Sequence, residues 1–237
     1  MSRWSTLPAR MVRRALIERV DRNHEQPDHE FRRRRVVVAV VIVIGATLLG
    51  ISLAVQPADP AFYPLTAGLA ATWVIGGFLS GPLHLGRIRV GRVFRRPIVT
   101  PIAIGLVASG VFVLGALVVR EIEPLRAYTE VVLAHARYGS LPLVATVTLL
   151  NGIAEEIFFR GALYAAIGRR FPVVGSTVLY SIATLATGNP MLVFAAATLG
   201  VVLGLQRRAS GGVLGPILTH VTWSMTMLFV LPPIFAG

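Results

Sequence analysis

Seven apolar runs, most of them long enough to cross a bilayer, constrain this chain more than any other feature. They fall roughly at 36–55, 62–83, 98–119, 141–165, 172–188, 190–206 and 213–235. A membrane helix needs ~20 predominantly apolar residues, with ~17 as the lower end. The two shortest runs, 172–188 and 190–206, are separated only by Gly188-Asn189-Pro190, a helix stop followed by a helix start. Together they are too long for one span and read as a transmembrane helical hairpin. The chain is 54% hydrophobic and only 14% charged, where a soluble domain would be ~25% charged. The expectation is an all-α, polytopic membrane bundle of about seven transmembrane helices.

The charges fix an orientation for that bundle. All 23 basic residues are arginine, and ten of them lie in the first 35 residues. With the N-terminus in the cytoplasm, the inside loops carry Arg87, Arg89, Arg92, Arg95 and Arg96, then Arg169 and Arg170, then Arg207 and Arg208. The outside loops hold no arginine at 56–61 and three, offset by three glutamates, at 120–140. Every loop obeys the positive-inside rule, and the C-terminus is expected outside. Because the arginines follow the loops, the net charge of +12 reads as membrane anchoring, and nucleic acid is not an expected partner. Exclusive use of arginine hints at a GC-rich bacterial source, hence the inner (cell) membrane. Cysteine is absent, which rules out disulfides and thiolate metal sites.

Three regions follow. Residues 1–35 form a cytoplasmic basic segment in which Leu7, Met11, Ala15, Leu16 and Val20 recur at helical spacing among arginines, as in an amphipathic helix lying on an anionic leaflet. No cleavable signal peptide is expected, since the run at Val36 is span-length and lacks a clear cleavage site. Residues 36–140 hold three spans and an external loop, and 141–235 hold four spans. The loop 120–140 reads as a solvated connector, with an interfacial helix acting as an external lid as the alternative.

Polar side chains at membrane depth are few, and there they presumptively serve function. Glu155 and Glu156 are the only carboxylates inside the apolar runs. Asn151 and Glu155 are four residues apart and share a helix face, as do Glu156 and Arg160, which can pair. Glu155 is left without a local cation, which suits a general base. His220 and Ser224 share a face of the last span. At 1.5 Å per residue, Glu155 lies roughly 12–15 Å, His220 about 10 Å, Tyr180 about 12 Å and Thr184 about 18 Å from the cytoplasmic ends of their helices. These depths allow one site, expected in the cytoplasmic half. A network that only fixes helix packing would use the same Glu155, Glu156, Arg160 and His220.

The string Glu155-Glu156-Ile157-Phe158-Phe159-Arg160 resembles the EExxxR motif of the CAAX-protease and bacteriocin-processing family (CPBP, or Abi) of intramembrane proteases. The string Gly212 to His220 resembles that family's third motif, in which His begins a His-xxx-Asn pattern. The resemblance covers about residues 141–235. It implies that Glu155 and a second-motif His activate water, while His220 and a third-motif Asn stabilise the oxyanion. Two positions depart from the pattern. Thr184 stands where the second-motif His belongs, and Ser224 where the Asn belongs.

The candidate catalytic set is therefore Glu155, His220, Glu156, Arg160, Thr184 and Ser224. No cofactor is firmly implied. A divalent metal such as zinc stays open, but its ligand set is incomplete, because Glu155, His220 and Glu156 are the only candidates and hydroxyls are poor zinc ligands. A metal-free route has Glu155 deprotonating water while His220, and Ser224 in place of Asn, donate to the oxyanion. The leading expectation is a peptidase cutting peptide or membrane-protein substrates from the cytoplasmic side, weakened by Thr184. The alternatives are an impaired family member that binds membrane peptides as a scaffold, and a small proton-coupled transporter using Glu155 and His220 as a relay.

Overall fold

A computed structural model describes residues 7–20 and 26–236. The chain is a multi-pass, all-α membrane protein. Six of its helices are long and apolar enough to cross a membrane. They are α2 (Asp28–Ala54), α3 (Phe62–Leu79), α4 (Val99–Val119), the continuous segment Leu141–Ile167, α9 (Pro190–Ser210) and α10 (Leu214–Ile234). A shorter apolar helix, α8 (Pro172–Leu185), is the seventh expected run. The segment Leu141–Ile167 is α6 (Leu141–Glu156), a π-helical stretch over Ile157–Leu163, and α7 (Tyr164–Ile167). Helices dominate because a backbone in hydrocarbon has no water to bond and must satisfy its N–H and C=O groups internally.

The α8–α9 hairpin forms for the reasons its sequence advertises. Gly188 takes a left-handed φ of 65°. Asn189 then caps α9, its side-chain oxygen accepting from the N–H groups of Met191 (3.0 Å) and Leu192 (3.3 Å). Pro190 fills the first turn, where its missing N–H costs nothing.

Small residues set the helix approaches, as expected where no hydrophobic effect drives association. The indole of Trp73 on α3 lies directly over Gly45 of α2, and Val41 of α2 lies over Gly76 of α3. Trp73 stacks on Phe158 (ring centroids 4.6 Å apart) and Phe159 (5.0 Å), and Phe159 on Tyr180 (4.6 Å). These rings form the centre of the main core, with Val38, Leu69 and Ala154 around them.

Three features go beyond the leading sequence reading. Residues Ile88–Val90 (β1) and Val93–Arg95 (β2) pair as an antiparallel hairpin inside the arginine-rich 84–97 connection. The loop 120–140, read as a solvated connector with an interfacial helix as the alternative, is largely helix α5 (Glu123–Tyr138), started by Pro124 and packed against α4, α6, α9 and α10. The Asn189 amide donates to the Tyr128 carbonyl (2.7 Å), and His135 Nε2 bonds the Val55 carbonyl (3.2 Å). Arg137 donates to the Pro232 carbonyl (3.0 Å), and Tyr63 Oη accepts from the Ser140 N–H just beyond the helix (2.8 Å). The N-terminal amphipathic segment is α1 (Leu7–Val12) and a π-helical turn over Arg13–Ile17. It is docked on the protein: Ala15 is buried and the Val20 N–H donates to the Ala209 carbonyl (3.0 Å). The remainder of that basic segment, 1–6 and 21–25, lies outside the described residues.

Candidate functional site

Glu155 sits near the middle of its membrane segment. Fourteen residues separate it from Leu141 and twelve from Ile167, about 21 Å and 18 Å at 1.5 Å per residue. The π-helical stretch begins immediately after Glu156, and such turns occur often at functional sites.

The two adjacent carboxylates have different partners. Glu156 is fully buried and its Oε1 accepts from Arg160 Nη1 and from His220 Nδ1, both at 2.9 Å. The expected Glu156–Arg160 pairing is present, and Arg160 is also fully buried, its guanidinium 4.6 Å from the Tyr180 ring centroid. Arg160 is anchored on its backbone too, since its carbonyl accepts from Arg207 Nε (2.7 Å). Glu155 turns the other way, and its Oε2 accepts from the Tyr180 hydroxyl at 2.6 Å. Sequence spacing placed Tyr180 at the right depth but gave it no role. Its position four residues before Thr184, at the start of the second-motif stretch, was the available signal.

Glu155, Tyr180 and His220 converge on one cavity of about 250 Å³. Asn151, Thr184 and Ser224 line it as well. Glu156 and Arg160 do not; they stand behind His220. With its Nδ1–H donating to Glu156, His220 has Nε2 left for the cavity, the arrangement by which a carboxylate fixes an imidazole's tautomer and orientation. Thr184 Oγ1 donates back to the Tyr180 carbonyl (2.9 Å), and Ser224 Oγ to the Val221 carbonyl (3.3 Å). Both hydroxyls therefore offer lone pairs to the cavity in this arrangement. Ser224 does not offer the donor proton expected of it in place of Asn.

The cavity is not in the half of the bundle where the sequence suggested. From Glu155 and His220 it runs toward α5. On α6 it touches Val147, Thr148 and Asn151; on α9, Leu192 and Ala195; on α5, Val132. The opposite half, toward the arginine-rich loops, is filled by Trp73, Phe158 and Phe159, each no more than 1% exposed. Depth counting along separate helices located the carboxylate and the imidazole but could not see this aromatic plug.

Zinc does not fit these donors. Among the described residues no three His, Asp or Glu side chains are grouped to hold one ion. Glu156 Oε1 is already committed to Arg160 and His220, which leaves Glu155 and His220 Nε2 where a protein zinc site uses three or four ligands.

Residues 137–226 match the family model "Type II CAAX prenyl endopeptidase Rce1-like". The match agrees with the CPBP-type resemblance carried by Glu155-Glu156 through Arg160. Less than half of the 237-residue chain is covered, but the matched segment contains Glu155, Glu156, Arg160, Tyr180, Thr184, His220 and Ser224. No curated protein and no solved structure matches the chain.

Proposed function

We propose that this protein is an intramembrane peptidase in which Glu155 activates water and His220 stabilises the oxyanion. The observation that carries the reading is the shared cavity, lined by both Glu155 and His220, whose other side-chain atoms are held by Tyr180 and Glu156. Tyr180 holds Oε2 of Glu155, so Oε1 is the oxygen that takes the proton as water attacks the peptide carbonyl carbon. In its doubly protonated form, with Nδ1–H held by Glu156, His220 donates from Nε2–H to the oxygen that becomes the oxyanion. When the tetrahedral intermediate collapses, the C–N bond breaks and Glu155 returns its proton to the departing amine. Glu156 and Arg160 act as positioning residues through His220 and the Tyr180 ring. No metal takes part in this scheme.

Residues 141–235 carry the chemistry, and 36–140 supply walls, with Ser52 of α2 and Thr66 of α3 among them. The positive-inside pattern puts α5 on the outer face of a bacterial inner membrane, with the C-terminus outside and residues 1–35 inside. The substrate, a peptide or membrane-protein segment, then approaches from the outer side beneath α5. In reconstituted vesicles Glu155→Gln abolishes cleavage while the helical fold persists. Undiminished cleavage by that variant would overturn the reading.

A second reading, an impaired family member that binds membrane peptides as a scaffold, is favoured by one specific observation. Thr184 and Ser224 bond to their own helices where the family pattern has His and Asn. Losing one oriented base or donor costs a factor of ~10²–10⁴. Under this reading Thr184→His raises cleavage from background, whereas an already competent site gains nothing from it.

A further inference from the structure

A second, larger cavity lies at the other end of the bundle, where the apolar runs give way to the arginine-rich segments. Its volume is about 1000 Å³. Seven arginines line it against two carboxylates, Asp28 and Glu30, among the described residues. Five of the seven are Arg19, Arg34, Arg35, Arg170 and Arg208, drawn from the N-terminal segment, α2, the α7–α8 connection and α9. None of these five is within ion-pairing distance of a described carboxylate.

Arg34 is the decisive residue. It is only 1% exposed, yet its hydrogen bonds go to neutral oxygens: the Gln26 amide (3.2 Å), the Pro82 carbonyl (3.4 Å) and the Ser80 hydroxyl (3.5 Å). Arg35 likewise donates to the Ala166 carbonyl (3.3 Å) and lies over the Phe31 ring. Glu30, one turn earlier on α2, attracts Arg34 without reaching ion-pair distance, and a buried guanidinium without a directly bonded counter-anion is costly. Simple retention of loops by charge does not require burying one. The loops could hold their arginines in water, as Arg89 and Arg92 are held on the β-hairpin.

We infer that this cavity binds a phosphate-bearing anion, and that its natural occupant is the headgroup of an anionic phospholipid. Guanidinium forks match phosphate oxygens in pairs. Basic pockets between membrane helices, at the level of the headgroups, recognise such lipids. The walls also suit a lipid, because Phe31, Leu83 and Ile167 line the same space beside the arginines and give acyl chains an apolar surface. The inference does not depend on the peptidase reading.

The test uses the full chain in nanodiscs of phosphatidylcholine with and without phosphatidylglycerol, and in detergent with added inorganic phosphate. Thermal unfolding and lipid retained in native mass spectrometry are the readouts. Two exposed lining residues are neutralised together, Arg35→Gln with Arg170→Gln. A control neutralises two arginines on the same face outside the cavity, Arg89→Gln with Arg92→Gln. The expected result is stabilisation and retention by phosphatidylglycerol that fall at least about tenfold in apparent affinity in the first variant and stay unchanged in the control. Stabilisation by inorganic phosphate alone keeps the anion site but assigns it to a soluble phosphate compound. Equal losses in both variants, or no preference for either anion, overturn the inference.

Discussion

Replacing Glu156 with leucine separates its two roles. In the native protein its Oε1 holds Arg160 and His220, each at 2.9 Å, with Glu156 and Arg160 both fully buried. Glu156→Leu leaves the Arg160 guanidinium at membrane depth without an anion. Breaking a buried pair from one side costs ~3–5 kcal/mol, against a typical total stability of ~5–15 kcal/mol. At ~2–4 °C per kcal/mol for a chain of this size, the midpoint falls by about 6–20 °C. Glu156→Leu with Arg160→Met removes both charges, and replacing a buried pair by apolar groups is often neutral. The double variant therefore returns to within ~2 kcal/mol of the native protein. Its peptidase activity does not return, because His220 has lost the carboxylate that orients it, a loss of ~10²–10⁴. Thermal unfolding in nanodiscs, followed by tryptophan fluorescence with Trp73 in the core as reporter, measures the first quantity. Cleavage in vesicles measures the second. A Glu156→Leu variant as stable as the native protein, or a fully active double variant, would refute the division of labour between the two glutamates.

Tyr180→Phe removes the 2.6 Å hydrogen bond to Glu155. The expected cost is ~1.5–3 kcal/mol of stability for a bond to a charged group, with kcat down at least ~10-fold and KM little changed. An unchanged kcat would show that Tyr180 does not position the base. Because the native chain has no cysteine, single cysteines report sidedness without background. Asp59→Cys, in the α2–α3 connection on the α5 side, is expected to react with a membrane-impermeant maleimide in intact cells, and Arg92→Cys only after permeabilisation. The reverse pattern would place the Glu155 cavity on the cytoplasmic side.

Much of the frame is legible along the chain. The apolar runs at 36–55, 62–83, 98–119, 141–165 and 213–235 each correspond to a long helix, and Gly188-Asn189-Pro190 writes the hairpin turn in full. Local spacing is also sufficient for the Glu156–Arg160 pair, since both ends lie on one helix. The identity of Glu155's partner is not local. Tyr180 is one of several polar residues on α8, and only the crossing of α8 past α6 selects it. The same holds for His220, which sequence reasoning set beside Glu155 as a donor and which the fold bonds to Glu156. Helix α5 was obscured because its alternating charges read equally well as a solvated loop, until contacts from Asn189, Val55 and Pro232 hold it.

Hydropathy and charge order by themselves settle that this is a multi-pass helical membrane protein, because the cost of burying backbone or charge in hydrocarbon is a property of composition and length. The EExxxR string, with the His220 stretch, points to the family. Tertiary structure alone decides which carboxylate is neutralised and which faces the cavity. It also decides that the cavity runs toward α5 while aromatic rings fill the other half. Those outcomes depend on how Trp73, Phe158 and Phe159 fill space between helices far apart in sequence, and side-chain volume in three dimensions has no signature along one helix.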